Sequence, residues 1–89
     1  EMRGNYVRML NGFNTIIGLS QDLTNGLYEF SSNIIESEAQ PVYLLNGGVS
    51  VAAPFIIDNN KFLIKAQLSK TPLKSQSGLV ISNNINLVF

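Results

Sequence analysis

The chain has no cysteine and no histidine. The first absence excludes a disulfide staple and any thiolate metal site. The second removes the side chain that most often serves as general base and metal ligand near neutral pH. Charge is scarce as well. Charged residues are 13% of the sequence, six basic against six acidic, so no polyanion-binding surface is expected and nucleic acid is not an expected partner. No apolar run reaches the roughly 18 residues of a membrane-spanning helix. No secretory signal or Asn-x-Ser/Thr acceptor is found, so no membrane insertion is expected. A chain of 89 residues is at most one ordinary domain. At that length, without disulfides or metals, burying enough surface usually requires partners. The sequence opens at Glu1 and not at Met, and ends in a strand-like pattern; it is read as a segment of something longer.

What is present is apolar and neutral-polar. Hydrophobic residues make up 45% of the chain, too many for a disordered segment. The most informative stretch is Pro54 to Lys65, a proline, an alternating apolar run, an Asn-Asn step and a second alternating run. The same frame opens at Pro41 and at Gly78. Apolar residues follow at Val42 and Leu44, Phe55 and Ile57, and Leu79 and Ile81. The turn dipeptides Asn46-Gly47, Asn59-Asn60 and Asn83-Asn84 come next. Asn and Gly accept the left-handed backbone that tight turns need, and prolines stand where a strand starts and no N–H is missed. Val49 and Val51, and Phe62 and Ile64, continue the alternation beyond the turns. An internal repeat of this kind governs the whole fold.

The first 38 residues read differently. With Tyr6, Phe13, Ser20, Leu27 and Ile34 at heptad position a, and Met2, Met9, Ile16, Leu23 and Phe30 at position d, all but Ser20 of these core positions are apolar. About five unbroken heptads predict a coiled coil, and Leu10, Ile17 and Leu19 widen the stripe toward three strands. Against it stand Gly4, Gly12, Gly18 and Gly26, each costing a helix interior roughly 1 kcal/mol relative to Ala. The step from Ala39 to Pro41 ends the expected helix.

The frame Pro/Gly, apolar, x, apolar, two variable residues, Asn/Gly, apolar-x-apolar resembles the triple β-spiral shaft repeat of adenovirus fibres and of reovirus sigma-type cell-attachment proteins. Ala53 to Ile64 and Gly78 to Leu87 carry the resemblance most fully. The order, heptads before shaft repeats, is also similar to the reovirus fibres. The fold expected is therefore fibrous. It has an N-terminal trimeric α-helical coiled coil over 1–38, followed by triple β-spiral repeats over 41–89 (about 41–53, 54–77 and 78–89). The alternative is a compact α+β module with a helix on an antiparallel meander. The resemblance implies that Pro41, Pro54 and Gly78 are β-turn residues and that the three turn dipeptides face solvent. It also implies that Val42, Leu44, Val49, Val51, Phe55, Ile57, Phe62, Ile64, Leu79 and Ile81 line a trimer axis. It further implies a homotrimer on the virion surface, joined to the capsid at its base. A host receptor or glycan would be engaged through the full-length protein. A phage tail fibre, a bacterial trimeric adhesin stalk, or a monomeric module of a pilus or secretion apparatus are the rival readings.

No catalytic constellation is found. Ser31, Ser32 and Lys61 have no partner base, and the carboxylates show no paired spacing. Gly47-Gly48 lacks the Lys-Ser/Thr of a phosphate loop. Asp58-Asn59-Asn60 has too few acidic ligands for calcium. No enzyme activity, cofactor or metal is expected.

Overall fold

The computed structural model describes residues 1–9, 15–37, 42–64, 68–70 and 73–86. Ten short strands follow one another: β1 (Met2–Arg3), β2 (Tyr6–Met9), β3 (Thr15–Gly18), β4 (Tyr28–Ser31), β5 (Ile34–Ser37), β6 (Val42–Asn46), β7 (Phe55–Asp58), β8 (Lys61–Ile64), β9 (Leu68–Lys70) and β10 (Leu79–Ser82). They form three sheets, ordered β1-β4-β7-β10, β2-β5-β8 and β3-β6-β9. Every pairing is parallel. Each strand therefore pairs with the strand three later in the chain, and the chain winds as a three-sided parallel β-solenoid. β1, β4, β7 and β10 each open a coil.

Inward positions stack in columns, one residue per coil. Met2, Phe30, Ile57 and Ile81 form one column on the first sheet; Tyr28, Phe55 and Leu79 form another. Val7, Ile35 and Phe62 form a column on the second sheet. Ile35, Leu44, Leu45, Val51 and Ile57 are fully excluded from solvent, and Phe62 nearly so. The rings of Tyr28 and Phe55 stack at 6.0 Å with an interplanar angle of 22°. Leu45 was not expected inside. It lies beside the register shift in the pairing of β6 with β9 and is buried together with Leu44.

No helix occurs among the described residues, so neither the N-terminal coiled coil nor the helix-on-meander alternative is formed. The heptad stretch is instead β1 to β5 and their corners. Its two series separate. The d series, Met2, Met9, Ile16, Leu23 and Phe30, packs into the solenoid interior. The a series does not: Tyr6 is 61%, Leu27 67% and Ile34 38% exposed, Ser20 is exposed, and Phe13 lies outside the described residues. A coiled coil would bury both. Short strands separated by corners place an inward residue every seventh position as readily as a helix does. Gly4 and Gly26, at φ +65° and +90°, adopt conformations that no helix contains.

The triple β-spiral is likewise replaced by a single-chain stack. Asn46-Gly47, Asn59-Asn60 and Asn83-Asn84 are corners between sheets, not hairpin turns. Pro54 and Gly78 do occupy equivalent places, just before β7 and β10. Tyr28 N donates to Pro54 O at 2.9 Å and Phe55 N to Gly78 O at 2.8 Å. A Cβ at Gly78 would overlap the Ala53 carbonyl of the coil beneath, which is why glycine stands there. Pro41 lies outside the described residues.

The alternation of inward and outward positions separates the sequence neighbours Phe62 and Leu63, the first buried and the second 41% exposed. Phe62→Ala is expected to cost about 3–5 kcal/mol of stability and Val80→Ala, at a 50% exposed position of β10, less than about 1 kcal/mol, measured by urea unfolding.

Candidate functional site

Side-chain chemistry gathers at one corner of the solenoid, where the first sheet of each coil turns into the second. The corner residues are Gly4-Asn5, Ser32-Asn33, Asn59-Asn60 and Asn83-Asn84. The first of each pair has a left-handed backbone, with φ of +65°, +55°, +54° and +54° respectively. The second is always asparagine, and the four asparagines are hydrogen-bonded in series. Asn5 N donates to Asn33 Oδ1 at 2.9 Å, Asn33 N to Asn60 Oδ1 at 2.9 Å and Asn60 N to Asn84 Oδ1 at 3.0 Å. Each Oδ1 also accepts from the Nδ2 of the preceding rung, at 3.0–3.1 Å. The Nδ2 groups of Asn33, Asn60 and Asn84 reach back to the Met2, Phe30 and Ile57 carbonyls at 3.0, 2.9 and 3.0 Å. Asn33 and Asn60 are buried, so the amides are satisfied where water does not reach.

This ladder was the missed feature. Asn59-Asn60 and Asn83-Asn84 were expected to face solvent as pairs; only Asn59 and Asn83 are exposed, while Asn60 is buried and Asn84 half-buried. The signal that finds it is the spacing of the rungs, 28, 27 and 24 residues, with a polar or glycine residue before each. Elsewhere the coils are linked by Asn46 Nδ2 to Thr15 Oγ1 at 3.2 Å and Ser50 N to Asp22 Oδ1 at 2.9 Å.

The expected axis-lining residues are brought together inside one chain. Leu44, Val51, Phe55, Ile57 and Phe62 are in the core, with Ile64, Leu79 and Ile81 packed against it. Val49 is half-buried, and Val42 pairs with Leu68 in the third sheet. Within the first coils, a cavity of about 340 Å³ is lined by Met2, Val7, Arg8, Met9, Thr15, Ile16, Phe30 and Ile35.

Polar contacts between neighbouring coils also lie on the outer face. Arg3 Nε donates to Glu29 Oε1 at 2.9 Å, and the Tyr6 hydroxyl donates to the Glu36 carboxylate. The Arg3 hydrogen bond holds Glu29 below its ordinary 4.5, and the Glu36 carboxylate raises Tyr6. On the outer face of β2-β5-β8 the apolar side chains Tyr6, Ile34 and Leu63 are displayed, with Ile85, 58% exposed, stacked beside Lys61 in the next coil. No group of acidic, histidine or cysteine side chains suited to a metal occurs among the described residues, and no helix is long and apolar enough to cross a membrane. No family model, curated protein or solved structure matches this chain.

Two outcomes follow. Asn60→Ala strands the Asn33 amide and the Phe30 carbonyl and is expected to cost about 2–4 kcal/mol, whereas Asn59→Gly, at an exposed left-handed position, changes stability by less than about 1 kcal/mol; urea midpoints compare them. Because the folded pKa of Glu29 is lowered, its contribution is full above the ordinary carboxylate value and is lost as pH falls through the folded one. The stability difference between wild type and Arg3→Gln is therefore expected to shrink between about pH 7 and about pH 3, read from denaturation curves at both.

Proposed function

We propose that this chain is a structural stalk segment of a homotrimeric fibre, of the kind that holds a receptor- or glycan-binding head away from a virion surface. The observation that carries the reading is the outer face of β2-β5-β8. This face exposes Tyr6, Ile34, Leu63 and Ile85, with Lys61 between Ile34 and Ile85, and apolar side chains gathered on one surface of a small protein favour association there. Three solenoids packed side by side through that face would cover it about a common axis.

The architecture supports a mechanical role. Stacked parallel strands on three sides tie each coil to the next by backbone hydrogen bonds, and the asparagine ladder adds a second tie along a corner. Such a stack is short for its length of chain. Each coil adds about 4.8 Å, against about 1.5 Å per residue for a coiled coil, so the segment trades reach for stiffness. The motif resemblance to attachment fibres now rests on the Pro54 and Gly78 frames alone, since the coil and the spiral are not formed.

Sedimentation of the purified chain at the lowest measurable concentration tests the reading. A limiting mass of three chains is expected, falling to one chain in the Ile34→Glu/Leu63→Glu variant with its β-sheet circular dichroism retained. A wild-type limiting mass of one chain overturns it.

A further inference from the structure

The sequence holds three Asn-Gly pairs, Asn11-Gly12, Asn25-Gly26 and Asn46-Gly47. Such a pair sets an electrophile, the asparagine side-chain amide carbon, beside a nucleophile, the next backbone nitrogen. Glycine puts no side chain in the way of their approach, and asparagine is thermolabile. The fold decides whether the two groups are free to meet. Asn11-Gly12 lies outside the described residues. The other two pairs lie in successive coils, each between the third sheet and the first.

Asn46 is held. It closes β6, its carbonyl accepts from Leu19 N at 2.9 Å and its Nδ2 donates to Thr15 Oγ1 at 3.2 Å. Gly47 packs so closely on the Leu19 carbonyl that a Cβ would overlap it. Both residues are half-buried. Asn25 and Gly26 are exposed instead. Among the described residues the Asn25 amide makes no hydrogen bond and the Gly26 N–H donates none. A Cβ on Gly26, at φ +90°, would come no nearer than 3.7 Å to the Tyr28 ring, so the corner has room to move. It is spanned between two fixed points. Leu23 N donates to Ser50 O at 2.9 Å and Leu23 O accepts from Ala52 N and Ala53 N at 2.9 Å; beyond the corner, Tyr28 N donates to Pro54 O at 2.9 Å. Thr24 to Leu27, between those points, are all exposed.

We propose that Asn25-Gly26 is a site of spontaneous covalent self-modification in the folded chain, where the asparagine amide is lost and an aspartate or isoaspartate takes its place. The Gly26 nitrogen gives its proton to hydroxide and attacks Asn25 Cγ. The N–Cγ bond forms, the Cγ–Nδ2 bond breaks, and Nδ2 takes a proton from water and leaves as ammonia. Water then adds to one carbonyl of the cyclic imide and breaks its bond to nitrogen. Opening at Cγ gives aspartate; opening at the backbone carbon gives isoaspartate, with the chain rerouted through the side chain. Water is the only co-reactant. Either product adds a carboxylate to a chain of six basic and six acidic residues, so the balanced charge turns negative. Because Leu23 and Tyr28 stay tied to the next coil, the register of the strands is kept. The corner lies away from the β2-β5-β8 face, so the modification is independent of the lateral trimer.

The test is incubation of the folded chain at mildly alkaline pH, followed by isoelectric focusing and by fragmentation mass spectrometry, which reads Asn11, Asn25 and Asn46 separately. Acidic species converted at Asn25 are expected to accumulate with the β-sheet circular dichroism retained. Asn46 is expected to convert at least about tenfold more slowly, because its hydrogen bonds must open first. In urea, where the fold no longer distinguishes them, the two sites are expected to convert at similar rates. Asn46 converting as fast as Asn25 in the folded chain overturns the proposal. So does an Asn25 rate in the folded chain about tenfold or more below its rate in urea, which would show that the corner is protected.

Discussion

The structure depends on in-register parallel pairing between coils, enforced at one corner by a line of asparagine amides that is buried at Asn33 and Asn60. A parallel solenoid must satisfy its backbone between turns of the same chain, because no strand has its partner next in sequence. Along the sheets the ladder of N–H and C=O groups does this. At the corner the chain changes direction, and strand pairing alone leaves amides and carbonyls inside the protein. The asparagines supply the missing partners: Asn33, Asn60 and Asn84 accept at Oδ1, and all four, Asn5 included, reach a carbonyl through Nδ2. The residue before each rung turns through a left-handed conformation, which is what lets the next side chain point inward.

That constraint organises the core. With the corner held, every inward residue sits over its counterpart one coil away, so the interior is a set of columns. A column is sealed only where coils lie on both sides of it. This is why Ile35, Ile57 and Phe62 are excluded from solvent while Met2 and Ile81, chemically similar and equally inward, are half-buried. The outer faces carry apolar side chains that are free to meet a neighbour from the side.

Much of this was legible in the residues, though the organisation was not. The alternating strands were readable from Phe55 and Ile57, Phe62 and Ile64, and Leu79 and Ile81, and the frames at Pro54 and Gly78 are true structural equivalents. The third frame, at Pro41, was a coincidence of local pattern: Val42 to Asn46 belongs to a different sheet. The N-terminal stretch misled because the inward residues Met2, Met9, Ile16, Leu23 and Phe30 fall seven apart, the period of a coiled coil. The glycines in that stretch were the opposing signal. The coil from Tyr28 to Ser37 is hard to match to the later ones, because Tyr28, Phe30 and Ile35 share no residue identity with Phe55, Ile57 and Phe62.

By itself the sequence determined the strand character of the C-terminal half, the turn positions and the lack of metal- or base-bearing chemistry built on cysteine or histidine, since these follow from local propensity and composition. It did not determine which strand pairs with which. Alternation shows that a residue has an inside and an outside, but the partner of β4 is 27 residues away and no local rule reaches that far. Only the closed circuit of the coil decided it, because the corner asparagines can satisfy their amides in no register except the one that places each above the next.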